Sequence, residues 1–346
     1  MRGFWLGLAA LASSIGPAMA RGPYAGPIID MHLHASSPDS FGGPQTVCTN
    51  EAGVEFPPIQ PATEATVQRA AICPHPLMSA ADEADNIRRT AALMRRYHIF
   101  GVLHGGGGTL AEALARLQRW QAAAPERFLP ALDFGSLTDA TPDALAGLFQ
   151  AGRLQLFGEI SPQYDGELVT AARLEPYFAM AERLDIPVAI HLGEGPPGGA
   201  YVAPGSRYLA AAGRPLDLEP LLRRHPRLRV YVMHFGSPLV DEMIALMYAH
   251  PQVYVDVAQN DWGFPRAHFY GQLRRLVEAG FASRIMFGSD QMIWPDTIRI
   301  AIETIDQAPF LTEAQKRGIF YDNAARFLRL DAATQARHHA AARAPR

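Results

Sequence analysis

The sequence predicts a (β/α)8 TIM barrel with a long loop insertion after its first strand. Three observations lead there: eight short apolar runs, segments of helical period between them, and a 346-residue chain of suitable size for one such domain. The runs are 27–34 (PIIDMHLH), 99–104 (IFGVLH), 128–134 (FLPALDF), 154–160 (LQLFGEI), 187–193 (PVAIHLG), 229–235 (RVYVMHF), 253–258 (VYVDVA) and 284–290 (RIMFGSD). Most are continuous rather than alternating, as befits parallel strands with helices on one face and a packed interior on the other. Between them, ADNIRRTAALMRRYH, TLAEALARLQRWQAAA, AARLEPYFAMAERLD and PLVDEMIALMYAHP return apolar residues every three or four positions. A doubly wound open sheet is the rival architecture, but the glycine fingerprint that often follows its first strand is missing.

Two connections exceed plain turns, 35–81 and 194–215. Both follow strands, so in a barrel they rise over the same face and can act as lid or pocket wall. Residues 1–20, MRGFWLGLAALASSIGPAMA, join a basic Arg2 to an apolar stretch too short to span a bilayer and to the small-residue pattern Ala18-Met19-Ala20. This is the pattern of a cleavable secretory signal, and it predicts a secreted or periplasmic chain starting near Arg21. The barrel domain then spans 21–330. The remainder, 331–346, has no apolar anchors in DAATQARHHAAARAPR and is expected to be a flexible tail.

In an oxidising compartment Cys48 and Cys73 are expected to form a disulfide. Metal ligation through them lacks the usual CxxC spacing. With 48% apolar residues, a net charge of −3 and no dense Lys/Arg block, the chain shows no electrostatic footprint for nucleic acid or an anionic membrane. The expected partner is a small-molecule substrate, with a homodimer left open.

Polar residues end the apolar runs: His32 and His34, His104, Glu159, His191, His234 and Asp290. Residues two apart in a strand share a face, so His32 and His34 project together. In a parallel barrel all strand ends meet on one rim. A single histidine there is commonly a satisfied core residue, but repetition at the ends of so many strands points to chemistry. Imidazoles with a carboxylate suit a borderline cation such as Zn2+, one ion or two, or another divalent transition metal. Such an ion acidifies water and polarises a carbonyl oxygen.

The H-x-H pair on the first strand, His191 on the fifth, His234 on the sixth and Asp290 within FGSD on the eighth resemble the amidohydrolase superfamily. The nearest likeness is to the amidohydrolase-related group that also contains decarboxylases of the aminocarboxymuconate-semialdehyde type. YDNAARFL, 321–328, is similar to that group's terminal segment, and the resemblance runs from about 27 to 328. It implies that His32, His34 and Asp290 bind metal with His191 as a further ligand. It also implies that His234 polarises substrate or acts as a base beside one metal, or ligates a second. Asp290 would take a proton from attacking water and pass it to the leaving group. The fourth strand departs from the pattern. Many binuclear relatives bridge their metals there with a carboxylated lysine, whereas Lys316 is the only lysine in this chain. A carbamate bridge is thereby excluded, as is Schiff-base chemistry at a strand end. Glu159 remains as a metal bridge, an orienting partner for His191 or a substrate group.

HGGGG, 104–108, is like an esterase oxyanion loop, but no G-x-S-x-G elbow accompanies it, and a turn is the simpler reading. His104 is a candidate pocket residue. Trp294 is a candidate wall for an aromatic or cyclic substrate, and Arg207 and Arg266 are mouth-side cations able to bind a carboxylate. The expected function is a metal-dependent hydrolase using a metal-activated water on an ester, lactone or amide, with His234 and the metal stabilising the oxyanion. The alternatives are a non-oxidative decarboxylase on the same cage and a non-catalytic binding protein with a closed metal site.

Overall fold

The computed structural model describes residues 23–58, 60, 70–134, 139–201 and 205–343, so the expected signal at 1–20 lies outside the described residues. Eight parallel strands neighbour one another in chain order. They are β1 (Ile28–His34), β2 (Ile99–Gly105), β3 (Phe128–Leu132), β4 (Leu156–Ile160), β5 (Val188–His191), β6 (Val230–Met233), β7 (Val253–Asp256) and β8 (Ile285–Met286). The ring closes where the Met31 and His34 amides donate to the Phe287 and Gln291 carbonyls, each at 2.9 Å. This is the expected TIM barrel rather than the open sheet. Ile29, Met31, Val102, Ala131, Leu156, Ala189, Tyr231 and Met286 fill its interior. Ile28, Leu33, Leu103, Phe157 and Ile190 face the surrounding helices instead.

Those helices follow from local signals. α1 (Glu83–Arg96) starts where the Asp82 carboxylate accepts from the Asp85 amide at 2.7 Å, and it turns Thr90, Ala91 and Met94 inward. α2 (Leu110–Ala123) opens on a capping box between Thr109 and Glu112 and buries Ala113, Leu117 and Trp120, spaced four and three apart.

Two β-bulges decide which side chains reach the top of the interior. On β1, Asp30 pairs with Gly101 and Leu33 with Leu103, so three steps on one strand match two on the other. Strict alternation from Ile29 and Met31 would bring Leu33 inward and turn His32 and His34 toward the helices. The extra residue reverses the parity and sends both histidines inside. On β4 the same device lies between Phe157 and Ile160, and it delivers Glu159 to the interior while Phe157 and Ile160 face outward. Gly158 sits in that bulge at φ +136, where an added Cβ would lie 2.5 Å from the Ala189 carbonyl oxygen. Only glycine fits.

Strands six and eight are shorter than expected. His234 (φ 58) and Asp290 (φ 47) adopt left-handed backbone and leave the ladder after Met233 and Met286. Between β1 and α1 the chain forms a 3-10 turn, Pro38–Phe41, and a two-stranded ribbon of Thr46–Val47 with Leu77–Met78. Cys48 and Cys73 are joined there, with Cα atoms 5.7 Å apart.

The C-terminal segment corrects the expectation of a flexible tail. Ala332–Arg343 is an α-helix, and buried His338 stacks on Phe100 with ring centroids 3.5 Å apart. The Tyr321 hydroxyl meets His338 Nδ1 at 3.0 Å. The anchor is an imidazole on aromatic rings rather than an aliphatic stripe, so apolar periodicity did not reveal it. No helix among the described residues is long and apolar enough to cross a membrane.

Candidate metal centre

Four donor atoms from β1, β4 and the turn after β8 converge. His32 Nε2 lies 3.0 Å from His34 Nε2, 3.5 Å from Glu159 Oε2 and 3.4 Å from Asp290 Oδ1. His34 Nε2 lies 3.4 Å from the same Glu159 oxygen and 3.1 Å from the same Asp290 oxygen. Ligands bonded at about 2.0–2.2 Å to a tetrahedral ion stand about 3.3–3.6 Å from one another. The observed edges match that spacing within a few tenths of an ångström, and two imidazoles with two carboxylates balance a divalent charge. His32, His34 and Asp290 form one compact donor group, and His32, Glu159 and His234 another.

His191 stands one step further out, outside both groups. Its Nδ1 meets Glu159 Oε1 at 2.5 Å, and its Nε2 points to the Glu194 carbonyl at 3.3 Å. The β4 bulge places Glu159 between His191 and the H-x-H pair.

Buried partners fix the rings. The Asp256 carboxylate at the end of β7 receives His32 Nδ1 at 3.2 Å on Oδ2 and the His234 amide at 2.7 Å on Oδ1. His234 Nδ1 faces the Ala258 carbonyl at 3.0 Å. A carbonyl only accepts, so the neutral ring carries its proton on Nδ1 and a lone pair on Nε2. His104 Nδ1 meets the Gly158 carbonyl at 2.5 Å, tying β2 to the β4 bulge.

Electrostatics separate two kinds of histidine. Burial, then the charges of His32 and His34, push His104 down to about 3. Burial, then His191 and His32, push His234 down to about 4. Burial also disfavours charge on His32 and His34, but Asp290 and the other nearby carboxylates overcome it and raise both. Asp290 is lowered although burial works against it, because His32 and His34 favour its carboxylate. The inner histidines therefore sit where positive charge is stabilised, as a cation site requires.

A family model for amidohydrolases matches residues 29–330. The chain belongs to the amidohydrolase family. Members of this family are metal-dependent hydrolases or decarboxylases, and this chain is a metal-dependent enzyme of that kind. No curated protein matches it by sequence. An uncharacterized TIM-barrel protein from Bordetella bronchiseptica is 17% identical with a TM-score of 0.58, over 89% of this chain and 99% of that one. A probable 2-pyrone-4,6-dicarboxylic acid hydrolase from Acinetobacter baumannii is 16% identical with a TM-score of 0.54, over 88% and 99%. A dihydroxybenzoic acid decarboxylase from Polaromonas sp. JS666, with bound manganese and the inhibitor 2-nitroresorcinol, is 16% identical with a TM-score of 0.53, over 89% and 99%. At these identities the likeness is one of fold.

In this amidohydrolase the strand-end residues His32, His34, Glu159, His191, His234 and Asp290 do meet, and His104 lines the cavity beside them. Trp294 is placed differently. Its indole N–H donates to the Gln45 carbonyl at 3.0 Å and its ring packs edge-on to Phe41, so it fastens the β1–α1 segment rather than lining that cavity. Arg207 pairs with Asp165 at 3.2 Å, and Arg266 donates to Gln307 Oε1 at 2.8 Å. Sequence reasoning missed Asp256, for which an aspartate inside the apolar VYVDVA was the available signal.

Proposed function

We propose that this chain is a hydrolase that uses one divalent ion, zinc by its ligand set, to open an ester, lactone or amide of a small cyclic molecule. His32 supports the reading of a single ion, since its Nδ1 faces Asp256 and the one lone pair on its Nε2 can serve one metal. When bound, such an ion supplies Lewis acidity, lowering the pKa of water and drawing charge from a substrate oxygen.

The observation that carries the reading is Asp290. Its Oδ1 faces His32 and His34, and its carboxylate is held in the ionised form, which leaves Oδ2 to accept a proton from water and return it to the leaving group. His234, neutral and with Nδ1 committed to Ala258, offers a lone pair at Nε2. That lone pair stands 3.1 Å from His191 Nδ1, so His234 is linked through His191 to Glu159 rather than poised as the oxyanion donor expected from sequence. Glu159 holds His191 and presents its other oxygen to the inner histidines. The Cys48–Cys73 disulfide fits the oxidising, secreted or periplasmic setting that the N-terminal sequence favours.

Non-oxidative decarboxylation is the second reading. The same cage would steady the charge left by departing CO2, and a similarly folded manganese-containing structure is a decarboxylase. Turnover in 18O-labelled water separates the two. Label in the product with no CO2 supports hydrolysis, CO2 without label supports the lyase, and protein without stoichiometric metal by elemental analysis overturns both.

A further inference from the structure

Regular strand pairing does not place Asp290 against the H-x-H pair. β8 ends at Met286, and Asp290 follows outside the ladder at φ 47. An isolated bridge between Leu33 and Gln291 continues the closure of the ring, carried by the His34 amide on the Gln291 carbonyl at 2.9 Å. Beyond it a side chain from a third element takes over.

That side chain is Asn86, fully buried on the inner face of α1. Asn86 Nδ2 donates to the Ser36 carbonyl and to the Met292 carbonyl, each at 2.8 Å. Ser36 stands two residues after His34, and Met292 two residues after Asp290. Asn86 Oδ1 accepts from Gln291 Nε2 at 2.7 Å. Carbonyls only accept, so these partners fix the orientation of the amide and use both of its N–H groups. The helix holds it from behind. The Asn86 backbone amide donates to the Asp82 carbonyl at 3.0 Å, and Thr90 and Met94 on the following turns are buried.

The clasp closes over one edge of the metal centre. His34 Nε2 and Asp290 Oδ1 stand 3.1 Å apart, and the turn that follows each of them ends its carbonyl on the same nitrogen. We propose that Asn86 is a positioning residue of the metal centre, which fixes the spacing of His34 and Asp290 by holding the Ser36 and Met292 carbonyls together. Two carbonyls directed at one point repel unless a donor lies between them. A primary amide supplies two protons from one atom, where serine supplies one and leucine none. The proposal rests on the reading of His34 and Asp290 as metal ligands.

Cobalt(II) binding to the metal-free full chain, followed by visible absorption and chelator competition, tests it together with hydrogen exchange. Asn86→Asp keeps the shape but can donate at most one proton, so it should weaken cobalt affinity about 10- to 100-fold and change the ligand-field bands. Gln291→Met leaves Asn86 in place and removes its Oδ1 partner, whereas Gln291 Oε1 has no hydrogen-bond partner among the described residues to lose. It should weaken affinity about three- to tenfold with a band shift of the same sense, and it decides the question where Asn86→Asp fails to fold. Met94→Ala opens a cavity on the same helix, so it should unfold at lower urea yet keep the wild-type bands and an affinity within about twofold. In metal-free samples the His34 amide should exchange about tenfold faster in Asn86→Asp and measurably faster in Gln291→Met than in wild type. Wild-type bands and affinity in both variants overturn the assignment, as does an equal loss in Met94→Ala. Wild-type protein that binds no cobalt overturns the metal reading, and the His34 exchange rates then still decide whether Asn86 clasps the two turns.

Discussion

At the scale of single residues, the buried aspartates behind the metal centre differ in what they do. Asp256 uses both oxygens, one on His32 and the other on the His234 and Ala258 amides. Asparagine has one acceptor oxygen and cannot serve both sides. Asp256→Asn should therefore weaken metal affinity about 10- to 100-fold with the fold intact, as losses of such supporting partners generally do. Chelator competition alongside circular dichroism checks this, and wild-type affinity in the variant refutes it. Asp261 is the contrast. It is fully buried, neither oxygen has a hydrogen-bond partner among the described residues, and burial followed by Asp30 and Asp256 pushes it well above the carboxylate range. Burial and the neighbouring carboxylates favour its protonated form, so Asp261→Asn replaces a protonated carboxyl by a neutral group of the same shape. Metal affinity should change less than about twofold and stability by less than about 1 kcal/mol. A large loss in the same two assays would mean that Asp261 carries charge.

At the scale of elements, the bulges separate what the sequence reveals from what it hides. The strand ends were readable because polar residues terminate apolar runs, and the convergence of His32, His34, Glu159, His234 and Asp290 followed from barrel geometry alone. Alternation could not show which way those residues point. By parity from Ile29 and Met31, His32 and His34 belong on the helix-facing side, and only the extra residue between Asp30 and Leu33 turns them in. Such a register shift depends on the neighbouring strand, which one segment of sequence does not contain. The β4 bulge offers a direct test. Gly158→Ala forces a Cβ against the Ala189 carbonyl at positive φ, so it should destabilise the protein by about 1–3 kcal/mol and displace Glu159 from the centre. Denaturant unfolding with metal analysis checks both effects, and wild-type stability with full metal content would show that the bulge tolerates a side chain.

At the scale of the whole molecule, the barrel is fastened at both ends. Above it, the disulfide between Cys48 and Cys73 closes a loop spanning 25 residues, and Trp294 ties that region to the β8 turn. On the chain-entropy model, removing such a crosslink with paired Cys48→Ser and Cys73→Ser changes costs about 3 kcal/mol, readable as a lower midpoint in urea. Below it, the C-terminal helix docks through His338, and here pH decides. Burial, aided by the charges of Arg337, His339 and Arg127, lowers the His338 imidazole to about 4, against about 6.5 in the unfolded chain. The folded state thus disfavours the proton. Docking is at full strength above about pH 6.5 and weakens as pH falls through the window down to about 4, because the undocked helix binds the proton more readily. Hydrogen exchange over 332–343 should show protection falling across that window, while His338→Phe, which keeps a ring on Phe100 but cannot titrate, should hold its protection. Equal loss in the variant would assign the pH response to another group, and protection that grows on acidification would reverse the sign argued for His338.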